Sequence, residues 1–160
     1  MNVDWPWTLA EISREGGEVE FLLRWRVVPK AVRRAEWPST LVITWENRFS
    51  TSEGFPIESE FTAMGTFELR LGEAVERDAL AVMSLSVTGK EERQLVFHTR
   101  DVAEFSKRLH EMPQEQQRYP IRIEKSDDPG WTHVDETFAR FGVDPSAKTS
   151  AWEWLKALLR

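Results

Sequence analysis

Residues 124–138 read EKSDDPGWTHVDETF and hold the densest group of chemically capable side chains in the chain. Asp127, Asp128, His133, Asp135 and Glu136 are the residue types that ligate a divalent cation or share acid/base work in a hydrolase. Their spacing weighs that chemistry against a helix start. Asp128 is a good N-cap, and Pro129 suits the first helical position because its missing N–H has no intrahelical partner there. With a helix starting at Pro129, Trp131, Val134, Phe138 and Phe141 share one face, while His133 and Asp135 project about 160° apart and cannot hold one ion. His133 and Glu136 are i, i+3 neighbours, but two ligands do not make a metal site. The carboxylates of Asp127 and Asp128 also suit the positive end of a helix. The cluster is therefore expected to cap a helix. A hydrolase or metal-dependent enzyme using Asp127, Asp128 and His133 is the alternative.

Arg24, Arg26, Lys30, Arg33 and Arg34 form a basic stretch around Trp25, a composition that grips phosphates and stacks bases. On a strand, Trp25 faces opposite Arg24 and Arg26, so the expectation is a core Trp beneath a solvated row of arginines. RNA binding through Arg24–Arg34 is kept as an alternative. The histidines His98, His110 and His133 show no HxH or HExxH spacing. His98 stands beside Thr99 and Asp101 at a strand end, and no serine lies in a nucleophile-elbow context to complete a triad. GTFELRLG has two glycines but no phosphate-cradling pattern. In the terminal SAWEWLKALLR, Trp152, Leu155, Leu158 and Leu159 share one helical side and Trp154 lies away from it. That piece is expected to dock on its own domain, or to anchor a partner or a second copy.

What positions these side chains is a chain of 160 residues, 41% hydrophobic and 30% charged, with a formal net charge of −6. This length makes one domain with a real core. The expected division is residues 1–141 as a single domain and 142–160 as a joint with an amphipathic extension. Net negative charge argues against a primary role on nucleic acid. The absence of cysteine excludes disulfides, thiolate metal sites and cysteine nucleophiles. No signal-like or membrane-length apolar run occurs, so a cytoplasmic protein is expected. Eight tryptophans against one tyrosine point to a bulky core and, more weakly, to a binding surface.

Trp5–Ile12 and Val19–Val28 read as strands around the Glu15-Gly16-Gly17 turn, and Leu41–Asn47 as a third. After SEGFP the period changes: Ile57, Phe61, Met64, Phe67, Leu71 and Val75 fall in a band of about 120°, a helix of about five turns. Ala79–Thr88 and Arg93–Thr99 form a hairpin around Gly89-Lys90-Glu91. Asp101 with Glu104 makes a capping box for a second helix, which Pro113 ends. Tyr119–Lys125 is a further strand. The order from Leu41 on predicts an α+β fold with a ferredoxin-like βαββαβ core. An N-terminal hairpin would extend the antiparallel sheet, with helices on one face and an extra C-terminal helix.

The Trp5 segment, EGFPIESE (Glu53–Glu60), the GKEERQLVFHT hairpin and DDPGW together resemble the bacterial domain-of-unknown-function family numbered 695, over Trp5 to Phe141. Two features depart from its pattern: Phe97-His98 stands where a Tyr often ends the strand, and AWEWLKALLR lies outside it. The resemblance implies no transferable activity. It does imply a plan similar to that of a ferredoxin-like regulator, found alongside this family, that inhibits a ribonuclease by direct binding. The functional expectation is a non-catalytic protein-binding regulator without a cofactor, restraining a partner such as a toxin or nuclease. Glu53, Glu58 and Glu60, with Trp152 and Trp154, are its expected contact residues, and a homodimer through the C-terminal helix is a further expectation.

Overall fold

The computed structural model describes residues 3–13, 17–113 and 118–146. Period-two and all-apolar runs form β1 (Trp7–Ser13), β2 (Val19–Arg26), β3 (Ser39–Glu46), β4 (Ala81–Gly89), β5 (Glu92–Thr99) and β6 (Ile121–Asp127). Period-3.6 runs form α1 (Glu58–Glu76), α2 (Val102–Glu111) and α3 (Thr132–Phe141), and a single 3-10 turn spans Arg34–Glu36. The strands make one six-stranded sheet in the order β1-β2-β4-β5-β3-β6, with every neighbouring pair antiparallel. β3 and β4, which α1 joins, have β5 between them. Among the described residues no helix is long and apolar enough to cross a membrane.

The sheet is covered on both faces. On one, Leu41, Ile43 and Trp45 of β3, with Met83, Leu95 and Phe97, pack against Met64, Phe67, Leu71 and Val75 of α1 and against Phe105 and Leu109 of α2. On the other, Leu23, Trp25, Val82, Leu85 and Val96 pack against Trp37, Trp131, Val134 and Phe138. The expectation of helices on one face therefore holds for α1 and α2, while α3 crosses the opposite face. β4 explains this: all of its residues are buried, as in a strand that needs cover on both sides. Each large apolar side chain buried here stabilises the fold by about 1.5–3 kcal/mol.

Two helix starts differ in kind. Asp101 caps α2 as its capping-box position predicts, accepting from Glu104 N–H at 3.0 Å. α3 begins at Thr132 rather than Pro129. Pro129 and Gly130 form a turn closed by Trp131 N–H to Asp128 O at 3.0 Å, and Trp131 enters the helix in the left-handed region, at φ 56°. In α1, Phe61 is 50% exposed and Glu60 is buried in its place. Glu60 lies one turn before Met64 on the buried stripe, where Trp45 and Arg48 supply its partners.

Candidate functional site: an acidic end with exposed aromatics

Residues 47–57 form a loop pinned at both ends. Asn47 N–H donates to Glu91 O at 2.9 Å and Glu91 N–H to Gly54 O at 2.8 Å, tying the loop to the β4–β5 turn. Gly54 sits at φ +85°, and a Cβ there would lie 3.3 Å from Glu91 N, so a side chain would be both strained and crowded. Within the loop, Ser50 and Pro56 form an antiparallel bridge, and Ile57 N–H donates to Phe49 O at 3.3 Å. Below it, Glu60 accepts from Trp45 Nε1 at 2.6 Å and from Arg48 Nε at 3.2 Å. Thus EGFPIESE and the GKEE turn, remote in sequence, form one end of the molecule.

That end presents Phe49, 62% exposed, and Phe61, 50% exposed. Glu18, Glu53, Glu58 and Glu91 are exposed around it. Glu18 and Glu53 line one hollow with Ser52. Hydrogen bonds, first from the Ser52 hydroxyl and then from the Glu53 backbone and Thr51, hold the Glu53 carboxyl below the usual carboxylate range. The nearby cations are each paired: Lys90 with Glu20 at 3.6 Å, Arg48 with Glu60 at 3.2 Å, and Arg93, whose guanidinium lies over the Phe61 ring at 4.8 Å, with Glu68 at 3.8 Å. The end is therefore anionic with two exposed rings. Of the expected contacts, Glu53 and Glu58 belong to it. Glu60 does not, because it is 2% exposed and bonded internally. Trp152, Trp154 and the expected amphipathic extension of residues 142–160, from 147 on, lie outside the described residues.

Within the Asp127–His133 cluster, Asp128 is bonded to the start of α3 and to β3. Asp128 accepts from Thr132 N–H at 2.7 Å, His133 N–H at 3.1 Å and Thr40 Oγ1 at 3.1 Å. It satisfies the first amides of α3 from four residues upstream, not as the adjacent N-cap. Its carboxyl is held low although burial pushes it up, because backbone donors at Thr132 and His133 favour the charge. Asp127 ends β6. Among the described residues no three His, Asp or Glu side chains converge as a metal cage.

The five cations do not share a surface. Arg24 pairs with Glu68 and Arg26 with Glu76, both on α1, and both guanidiniums lie over the Trp7 ring, at 4.4 and 4.6 Å. The expected solvated row is therefore a covered one. Burial, with repulsion from Arg93 and Arg26, pushes Arg24 down to about 10. Arg34 stands elsewhere, pairing with Asp135 at 3.0 Å, and Arg33 and Lys30 are exposed in the loop before β3. Trp25 is core, as expected, and its Nε1 donates to Pro145 O at 3.2 Å.

Residue type and spacing do not single out Phe49 or Phe61 as exposed. Phe61 fits the helical stripe that predicts a core position, whereas Phe49 is a lone aromatic in the polar run NRFSTSEG, a context that favours an exposed ring. Nor does the sequence mark Ser84, which meets His98 Nε2 at 2.7 Å inside the sheet.

An antiparallel α+β domain with helices on both faces and an acidic, aromatic end is the class these features define. A family model, that of a family of unknown function (DUF695), matches residues 16–138, and the chain belongs to that family. No curated protein and no solved structure matches the chain.

Proposed function

We propose that this protein is a non-catalytic binding module that docks on another protein through the end built by residues 47–58, Phe61 and the β4–β5 turn, and restrains that partner. The observation that carries this reading is the pair of exposed rings, Phe49 and Phe61, beside Glu18, Glu53, Glu58 and Glu91, which form no ion pairs among the described residues. Exposed aromatics serve as interface anchors, and a charged rim steers a partner of opposite sign. The partner is accordingly a protein with a basic face, as a nuclease or a toxin that approaches phosphates must have. The strand order β6-β3-β5-β4, with α1 and α2 together on one face, supports a ferredoxin-like core. That plan hosts many unrelated functions, so the surface and not the fold carries the reading.

The test is affinity capture from the native host, followed by a binding measurement with the captured protein. The Phe49→Ala/Phe61→Ala variant is expected to keep the wild-type circular dichroism and to lose binding by about tenfold or more, as hot-spot aromatics do. Glu53→Lys/Glu58→Lys is expected to slow association and reduce its dependence on salt. A Trp152→Ala/Trp154→Ala variant reads any contribution from the C-terminal residues. Full affinity in both of the first two variants assigns the contact elsewhere, and multiple turnover of a captured substrate overturns the non-catalytic reading.

A further inference from the structure

The sheet face under α3 carries a polar chain that the acidic end does not use. His98 on β5 is completely buried, and its ring lies flat on the Trp131 indole, 3.8 Å between centroids and 4° between planes. Nδ1 meets Thr40 Oγ1 at 2.9 Å, and Nε2 meets Ser84 Oγ at 2.7 Å, where β4 is irregular between Met83 and Leu85. Thr40 also donates to Asp128 Oδ2 at 3.1 Å. An ionised carboxylate only accepts, so the one hydroxyl proton of Thr40 goes to Asp128, and the Thr40 oxygen accepts from His98 Nδ1–H. Nε2 is then the bare nitrogen and accepts from the Ser84 hydroxyl. A second ring proton fits only if Ser84 turns its own proton to Val96 O at 3.4 Å.

The start of α3 hangs on the same groups. Asp128 holds the Thr132 and His133 amides, and Trp131, stacked on His98, sits at φ 56°, a strained conformation for a bulky residue. We propose that α3 is an acid-released latch: protonation of His98 frees Trp131 and the first turns of α3 from the sheet, while α1, α2 and the strands stay folded.

Asp128, Arg34 and His133 act on the ring electrostatically. Burial is the main influence and lowers its proton affinity; Asp128 raises it, and Arg34 and His133 lower it, leaving the ring at about 3 against an ordinary 6.5. With Trp131 lifted, the ring meets water and regains the ordinary value. The closed value lies below the open one, so the latch is fully closed above pH 6.5 and loosens as pH falls from there toward 3. Each pH unit in that window favours the open form by about tenfold, the effect of one proton.

Hydrogen exchange of the full chain from pH 7.5 to 4.5, corrected for intrinsic rates, tests this. Protection of the α3 amides is expected to fall by about 50-fold between pH 6.5 and 4.5, with β5 and α1 protection retained. His98→Gln keeps an amide to meet both hydroxyls and has no titrating ring, so its α3 protection is expected to stay constant. If that variant does not fold, NMR titration of the wild-type His98 ring decides, since protonation must coincide with the loss of α3 protection. Three results overturn the latch: unchanged α3 protection down to pH 4.5, His98 protonating while α3 remains protected, or α3 and the whole sheet losing protection together.

Discussion

Glu60 illustrates how one side chain can carry the chemistry of an interface residue and the duty of a core residue. It accepts from the Trp45 indole at 2.6 Å and from Arg48 at 3.2 Å, and so fixes the loop that displays Phe49. Removing it orphans a buried N–H, which is more costly than the lost bond alone. Glu60→Ala is expected to lower unfolding free energy by about 2–3 kcal/mol, and Glu60→Gln, whose carbonyl still accepts from Trp45, by about 1 kcal/mol. Urea denaturation of the two variants measures both values; equal losses would mean that the Arg48 contact dominates. The sequence shows Glu60 on the edge of an apolar stripe, but not that Trp45 from a neighbouring strand points an N–H at that position. Burial of a charged residue is decided by its partners, and these come from remote segments.

At the scale of elements, periodicity was informative about which way residues point and silent about what covers them. Alternation in β2 correctly opposes Trp25 to Arg24 and Arg26, yet the arginine face is covered, because α1 brings Glu68 and Glu76 above it. The capping box at Asp101 was legible because it is local, whereas the α3 start was misplaced by three residues because a Pro-Gly turn precedes the helix. α1 itself offers a clean test of local propensity. Gly65 lies in its interior, is exposed, and has nothing within 4 Å of where a Cβ would stand. Gly65→Ala is therefore expected to stabilise the protein by about 0.5–1 kcal/mol, through the lower helix entropy cost alone. Gly89 is the control: its added Cβ would meet Glu20 O at 2.5 Å, so Gly89→Ala is expected to destabilise. Thermal melts distinguish the two, and a destabilised Gly65→Ala would show that something packs on that stretch of α1.

For the whole molecule, the two-sided sheet makes acid stability depend on a group that lies between layers. His98 is shielded by α3 on the far side from α1, and any state that lets water reach its ring takes up a proton that the native state refuses. The route does not matter to this balance, because proton linkage depends only on the end states. The native value of about 3 lies below the ordinary 6.5, so the contribution is complete above pH 6.5 and is lost as pH falls through the interval between them. Unfolding free energy is expected to drop by about 2 kcal/mol from pH 7.5 to pH 5.0, well above the range in which carboxylates protonate. Asp78 adds a second step lower down. The Arg108 guanidinium holds its carboxyl at about 2 against an ordinary 3.8, so its share is present above 3.8 and is lost as pH falls toward 2. Its half-exposed position makes that share small and salt-sensitive. Urea unfolding at pH 7.5, 6.0 and 5.0 checks the first step. A His98→Gln protein is expected to be level across these three points, and a wild-type protein of constant stability down to pH 5.0 would show that the ring is not excluded from water in the native state.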